Sequence, residues 1–335
     1  MKAFSKFFKL AFLSALVLFT FSCSDDDEGG DQNPENIVEI ALETPDLSSL
    51  VAALQAADGD LVTVLQGDGP FTVLAPTNAA FADFLAQNGF NSLDEVPTDL
   101  LAKVLLNHVI SADITSGDLV SLGAGYTKTN ASGPGNNFID IYFNTTSGVR
   151  FNDIASVTSG GADIDASNGV IHIVDAVITL PTVVTFAAAD PNFSTLVAAL
   201  TTLTPNTDFV SILSRTEGGN NDGINPEFTV FAPTNDAFTA LGTPPAEDLL
   251  TQVLLHHVVA EANVTSSDLN PSGDTPAPTL EGDNITITLP GTGDNIADVT
   301  DGSGNTDIGI IAVDVQADNG VIHVLNKVMI PDTSN

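Results

Sequence analysis

Tryptophan is absent from these 335 residues, tyrosine occurs twice and cysteine once. With Cys23 as its single thiol, the chain has no internal disulfide available. The scarcity of indole and phenol rings argues against a typical carbohydrate-stacking groove. Basic residues are also few: 8 lysines and arginines face 43 carboxylates, for a formal charge of −35. Lys2, Lys6 and Lys9 lie at the extreme N-terminus, and without these three the charge is −38. Such a polyanion repels nucleic acid and anionic lipid headgroups, and it suits divalent cations, salty surroundings or basic partners. Solubility alone is the other reading. Long apolar runs are missing too: residues 10–21 form an N-terminal run shorter than the ~20 residues a membrane-spanning helix needs. No nucleophile motif, Gly-rich phosphate loop or HExxH helix occurs, so neither catalysis nor a cofactor is expected. The abundant carboxylates leave an acid/base pair open.

A basic head followed by a short apolar run reads as a secretory signal over residues 1–22. Ser22-Cys23 ends the run. The arrangement resembles a bacterial lipoprotein signal, in which Cys23 becomes the lipid-bearing N-terminus and anchors the chain to a membrane. Thr20 and Phe21 stand where that pattern has leucine and a small residue; plain secretory cleavage is the alternative. Ser24-Asp-Asp-Asp-Glu28 resembles the acidic export tag of surface lipoproteins in Bacteroidetes-type bacteria. Residues 23–35 contain almost nothing apolar and read as a flexible acidic tether.

The rest of the chain says one thing twice. Phe71-Thr-Val-Leu-Ala-Pro-Thr-Asn-Ala-Ala-Phe81 returns as Phe228-Thr-Val-Phe-Ala-Pro-Thr-Asn-Asp-Ala-Phe238, identical at 9 of 11 positions. Leu50-Val-Ala-Ala-Leu54, Leu105-Leu-Asn-His-Val109 and Asn168-Gly-Val-Ile-His172 each recur in the same order, shifted by 146, 149 and 151 residues. A period this long means a duplicated domain, since solenoid units repeat every ~20–50 residues. These blocks resemble the fasciclin domain family: the Phe-Thr-Val-Leu/Phe-Ala-Pro-Thr-Asn stretch its first signature, Asn-Gly-Val-Ile-His its second, and Leu-Leu-x-His-Val its central histidine motif. The resemblance covers residues 36–180 and 181–333. It implies two tandem α+β domains, each a twisted β-sandwich or wedge flanked by helices.

The local pattern agrees with an α+β fold. Leu47, Leu50, Val51 and Leu54 form an apolar helical face, with Asp46 as its expected N-cap; Asn192 and Phe193, Leu196, Val197 and Leu200 repeat it. A β-rich run at 71–75 ends at Pro76, and Asn78 is the expected N-cap of a helix carrying Phe81, Phe84 and Leu85; Asn235 does the same for Phe238 and Leu241. A third helix starts near Thr98, with Leu101, Val104, Leu105 and His108 on one stripe. Later Gly-, Ser- and Thr-rich stretches with alternating runs read as antiparallel strands.

Five histidines are the first candidates for chemistry. Paired histidines can bind metal or move protons. Yet His108 and His257 lie on apolar stripes, and His172 and His323 within apolar strands, so these four read as buried structural residues. His256, about 100° around the helix from His257, is expected nearer solvent. Tyrosine often stands there in the fasciclin family, in a motif implicated in adhesion; Asn107 and His256 both depart from it. The resemblance also implies an adhesive Asp-Ile pair just before the second signature, as in animal members. Asp163-Ile164 matches it, and Asp314-Val315 matches in part, although Asp-Ile occurs five times in this chain. Asp301, Ser303, Asn305 and Asp307 offer oxygens at alternate positions, as calcium loops do, but Thr306 and Ala312 stand where an EF-hand needs glycine and a carboxylate. A flexible acidic loop is the default there.

Together these features predict an outer-membrane lipoprotein exposed at the cell surface, with periplasmic or secreted placement as alternatives. Its expected role is non-enzymatic binding or adhesion to extracellular matrix, polysaccharide or a cell-surface protein. A small-ligand or metal-binding protein and an envelope-structural protein remain the alternatives.

Overall fold

The computed structural model describes residues 34–334. The signal segment, Cys23 and all but the last two residues of the expected tether lie outside the described residues. Among the described residues no single helix is long and apolar enough to cross a membrane.

Each copy opens one helix earlier than its apolar stripe suggests. Ile37–Glu43 is held by a reciprocal cap: the Asn36 side chain accepts from the backbone of Val38 and Glu39, and the Glu39 carboxylate accepts from Asn36 N. Thr182 and Thr185 build the same device at the start of Val183–Ala189. A 3-10 turn follows in each copy, Pro45–Leu47 and Pro191–Phe193, leading into Ser48–Ala56 and Ser194–Thr201. Asp46 and Asn192 lie inside these turns and cap neither helix; Asp190 caps the second turn by accepting from Asn192 N.

The repeated signature folds as strand, turn and helix: Phe71–Pro76 then Asn78–Gln87, and Phe228–Pro233 then Asn235–Leu241. The caps are Thr77 and Thr234, whose hydroxyls accept from Ala80 N and Ala237 N. The threonine, not the asparagine, has the extended backbone an N-cap requires. Asn78 is thereby released to reach sideways. Its Oδ1 accepts from Ser49 N at 2.8 Å and its Nδ2 donates to Pro45 O at 3.0 Å, which ties two helices together. Asn235 repeats both bonds with Thr195 N and Pro191 O, each at 2.8 Å.

In the first copy the signature strand lies between Val109–Ile110 and Gly169–Val174, with Ile164–Ala166 at the edge. A second four-stranded sheet runs through Ala124–Ser132, Phe138–Asn144, Arg150–Phe151 and Ala155–Ser156. In the second copy the equivalent strands join into one seven-stranded sheet. Most neighbours are antiparallel, as the alternating runs suggest. The exception is the pairing of the two signatures: Phe71–Pro76 runs parallel to Gly169–Val174, and Phe228–Pro233 to Gly320–Leu325. These strands are far apart in sequence, and the helices and sheet between them serve as the crossover that a parallel pair needs. One core in each copy packs helices against the signature strands, and another fills the sheet beyond them.

The two copies meet along a bonded seam. The hairpin joining Ala124–Ser132 to Phe138–Asn144 leans on strand Ile308–Ala317 of the second copy. A Cβ at Gly133 would stand 2.9 Å from Ala317 O, so glycine permits the approach. Buried Asp140 accepts from Lys128 Nζ and from Gln316 N, both at 2.6 Å, and Lys128 also donates to Asp314 O at 3.0 Å. Lys103 pairs with Asp318, whose backbone N–H donates to Pro181 O at 2.7 Å. Tyr126 donates to Asp190 at 3.0 Å, and its ring packs 5.0 Å from Tyr142 and 5.5 Å from Phe186.

Candidate functional site

The histidines decide what chemistry this fold has available. His108 sits just past helix Thr98–Leu106, fully buried. Its Nε2 accepts the backbone N–H of Ile178 at 2.9 Å, so the ring proton resides on Nδ1, which donates to Val104 O at 2.7 Å. His257 repeats this with Met329 N at 2.9 Å and Val253 O at 2.7 Å. Burial pushes both rings down to about 4, because the charged form finds neither water nor an acceptor for a second proton.

The strand histidines use the opposite tautomer. His172 Nδ1 accepts from Asp163 N at 3.2 Å and its Nε2 donates to Ile114 O at 2.9 Å. His323 makes the corresponding bonds with Asp314 N at 3.5 Å and Val264 O at 2.8 Å. Burial lowers His323 as well. In each of these four residues both ring nitrogens are engaged by the backbone.

The two aspartates read as adhesive candidates are therefore welded to the strand histidines. Asp163 and Asp314 both have left-handed backbones, with φ of 55° and 61°. Their carboxylates hold the backbone N–H and hydroxyl of Ser116 and of Ser266. These bonds keep Asp163 below the usual carboxylate range. Ile164 packs against the first core, and Val315 is buried in the second. Each Asp-Ile or Asp-Val pair is thus a bracket between a serine turn and a histidine strand, with the Asp163 side chain still partly open to solvent.

His256 departs from expectation: it is fully buried. Residues 279–283 and 301–305 fold over the helix end and cover it, which helical geometry alone does not reveal. Gly302 N donates to His256 Nε2 at 3.0 Å, and His256 Nδ1 donates to Thr279 Oγ1 at 3.2 Å. The Thr279 hydroxyl in turn donates to Asp283 O at 2.8 Å. Burial lowers His256, opposed by the nearby carboxylates of Glu281, Asp301 and Asp283. His256, Glu281 and Asp283 present potential ligand atoms within 4.8 Å of one another. A metal at Nδ1 would move the ring proton to Nε2, directly against the N–H of Gly302. The bonding of this ring therefore disfavours a metal centre.

The two carboxylates read as calcium ligands are taken within the fold. Asp301 accepts from Asn305 N, Asn305 Nδ2 and Ile330 N, each at 2.8 Å. Ser303 donates to Pro331 O at 2.7 Å, and Asp307 pairs with Lys327.

Sequence reading passed over the asparagine of the second signature. Asn168 Nδ2 donates to Leu65 O and Gly67 O, both at 2.8 Å, and its Oδ1 accepts from Ile37 N at 3.0 Å. Asn319 does the same with Leu213 O, Arg215 O and Val183 N. The recurrence of Asn-Gly in both copies was the available signal. Thr279 and Gly302 had none, since neither belongs to a repeated motif.

A family model for the fasciclin domain matches residues 45–181 and 191–331. The protein sll1483 of Synechocystis is 42% identical over 150 residues, which covers 43% of this chain and 73% of that protein. Human periostin is 30% identical over 282 residues, which covers 81% of this chain but 29% of periostin. The solved domain pair from the insect cell adhesion molecule fasciclin I aligns over 85% of this chain and 97% of its own, with a TM-score of 0.48 and 20% identity.

Proposed function

We propose an adhesive, non-enzymatic role from one premise: this chain belongs to the fasciclin domain family. Its target is extracellular matrix, a polysaccharide or a protein of the cell surface. Its place is the outer face of the outer membrane, held by a lipid on Cys23.

The observation that carries this reading is the use made of the histidines. The side chains best suited to proton transfer or metal binding have both ring nitrogens bonded within the fold. What the chain offers a partner is its outer face and the clefts in it. The seam fixes two related surfaces at a set spacing, so one extended polymer can engage both and gain avidity.

Two measurements test the proposal. Cells lacking the chain should attach to their native polysaccharide or to neighbouring cells at least twofold more weakly, and beads coated with the purified chain should bind those same surfaces. Unchanged attachment together with inert beads would contradict adhesion. The anchor is tested separately: labelled fatty acid should enter the wild-type chain and not the Cys23→Ala variant.

A further inference from the structure

We infer that the seam between the two copies forms a pocket for an uncharged hexose unit of a glycan, with Phe138 as its stacking face. This deepens the adhesive reading by naming a ligand class, and rests on it.

The pocket has a volume of about 280 Å³ and draws its walls from both copies. That is close to the lower end of the ~300–1,000 Å³ range of small-ligand sites. Lys128, Asn137 and Phe138 come from the first copy, and Thr265, Ser267 and Asp314 from the second. Phe138 is 55% exposed and is the one exposed aromatic residue among the described residues, so a single phenyl face stands in for the groove of indole and phenol rings that the composition argues against. The turn Pro134–Asn136 delivers it to the seam at the first position of its strand, opposite Ser132. A phenyl ring left half in water at the mouth of a polar pocket gains by covering its face.

Charge narrows the ligand. The Lys128 ammonium is matched by Asp140 and bonded to Asp314 O, while the Asp314 carboxylate is taken by Ser266. The Lys128 charge is thus spent on Asp140, and the Asp314 carboxylate keeps its charge but is occupied by Ser266, inside a chain that carries −35 overall. An anion is repelled by the whole molecule, and a cation finds the Asp314 carboxylate already occupied by the N–H and hydroxyl of Ser266. What fits is a neutral ligand with one flat C–H face and several hydroxyls, which describes a hexopyranose. On the wall from the second copy, Thr265 donates to Asp268 at 2.7 Å and accepts from Ser267 at 2.7 Å, so the Ser267 oxygen keeps acceptor capacity for a ligand hydroxyl. The corresponding stretch of the first copy, Thr115-Ser116-Gly117, lacks the second hydroxyl. The site therefore requires both copies in contact.

The test uses the purified chain with neutral tetrasaccharides of glucose, galactose and mannose, and with tetragalacturonate and a proline-rich peptide as competitors from other classes. Binding is read by saturation-transfer NMR and calorimetry. At least one neutral tetrasaccharide should bind. Phe138→Ala should weaken it tenfold or more, and Phe138→Trp, with a larger face, should restore it. Melting curves matching the wild type establish that the variants fold. Absence of neutral-sugar binding, equal binding by Phe138→Ala, or binding confined to tetragalacturonate or the peptide would overturn the inference. If coated beads still attach to cells while the neutral sugars do not bind, this pocket assignment fails and the adhesive reading survives. If the beads do not attach, the adhesive reading itself fails.

Discussion

At the scale of single residues, the fold is most exposed at its neutral histidines and its two signature glycines. His108 and His257 have folded values near 4, against 6.5 for an unconstrained ring. Between those values the unfolded chain binds protons that the folded chain refuses. Stability is therefore complete above pH 6.5 and falls as pH drops toward 4, by about 1.4 kcal/mol per pH unit for each ring. Asp140 acts in the opposite sense: burial raises it, so its contribution is present in acid and fades as pH rises. Urea midpoints measured from pH 7 to pH 4 should decline, and a flat profile would contradict the buried neutral rings. Gly169 and Gly320 answer to geometry. A Cβ would fall 1.9 Å from Phe71 O in one and 2.0 Å from Phe228 O in the other. Gly169→Ala should destabilise the chain by about 3 kcal/mol or more, measured by urea unfolding.

At the scale of elements, the repeated motifs are devices for joining segments. Thr77→Ala should cost about 1 kcal/mol as a lost helix cap. Asn319→Ala should cost about 3 kcal/mol, because it strands the carbonyls of Leu213 and Arg215 and the N–H of Val183 at once. Urea unfolding of the two variants should reproduce that order. Much of this level was legible in the sequence: the apolar stripes at Leu50 and Leu101, the strand of the first signature, and the helix after it. The parallel pairing of the signatures was not, because a local alternation carries no direction. Strand Ala124–Ser132 is not legible either, because Lys128, Thr129 and Asn130 break any apolar alternation. Asn78 was misread as a cap because its bond partners, Pro45 and Ser49, lie about thirty residues upstream.

At the scale of the whole molecule, the seam sets the behaviour. Aromatic rings, the Lys103–Asp318 ion pair and the Asp140–Gln316 bond cross it, so the two copies should unfold in one calorimetric transition. Tyr126→Ala removes a ring that touches Phe186 and a bond to Asp190, and should split that transition in two. The seam was invisible in sequence, since Phe138, Gln316 and Lys128 gain their roles only when the copies meet. The burial of His256 was hidden likewise, by loops that return to it from Thr279 and Gly302. The claim beneath adhesion is that the histidines brace each copy from within and perform no chemistry. Nitrogen NMR of the histidine rings in the purified chain tests it most directly. His108, His256 and His257 should carry their proton on Nδ1, His172 and His323 on Nε2, and His108 and His257 should titrate near pH 4. Mixed tautomers, or either of those two rings titrating near 6.5, would contradict the account.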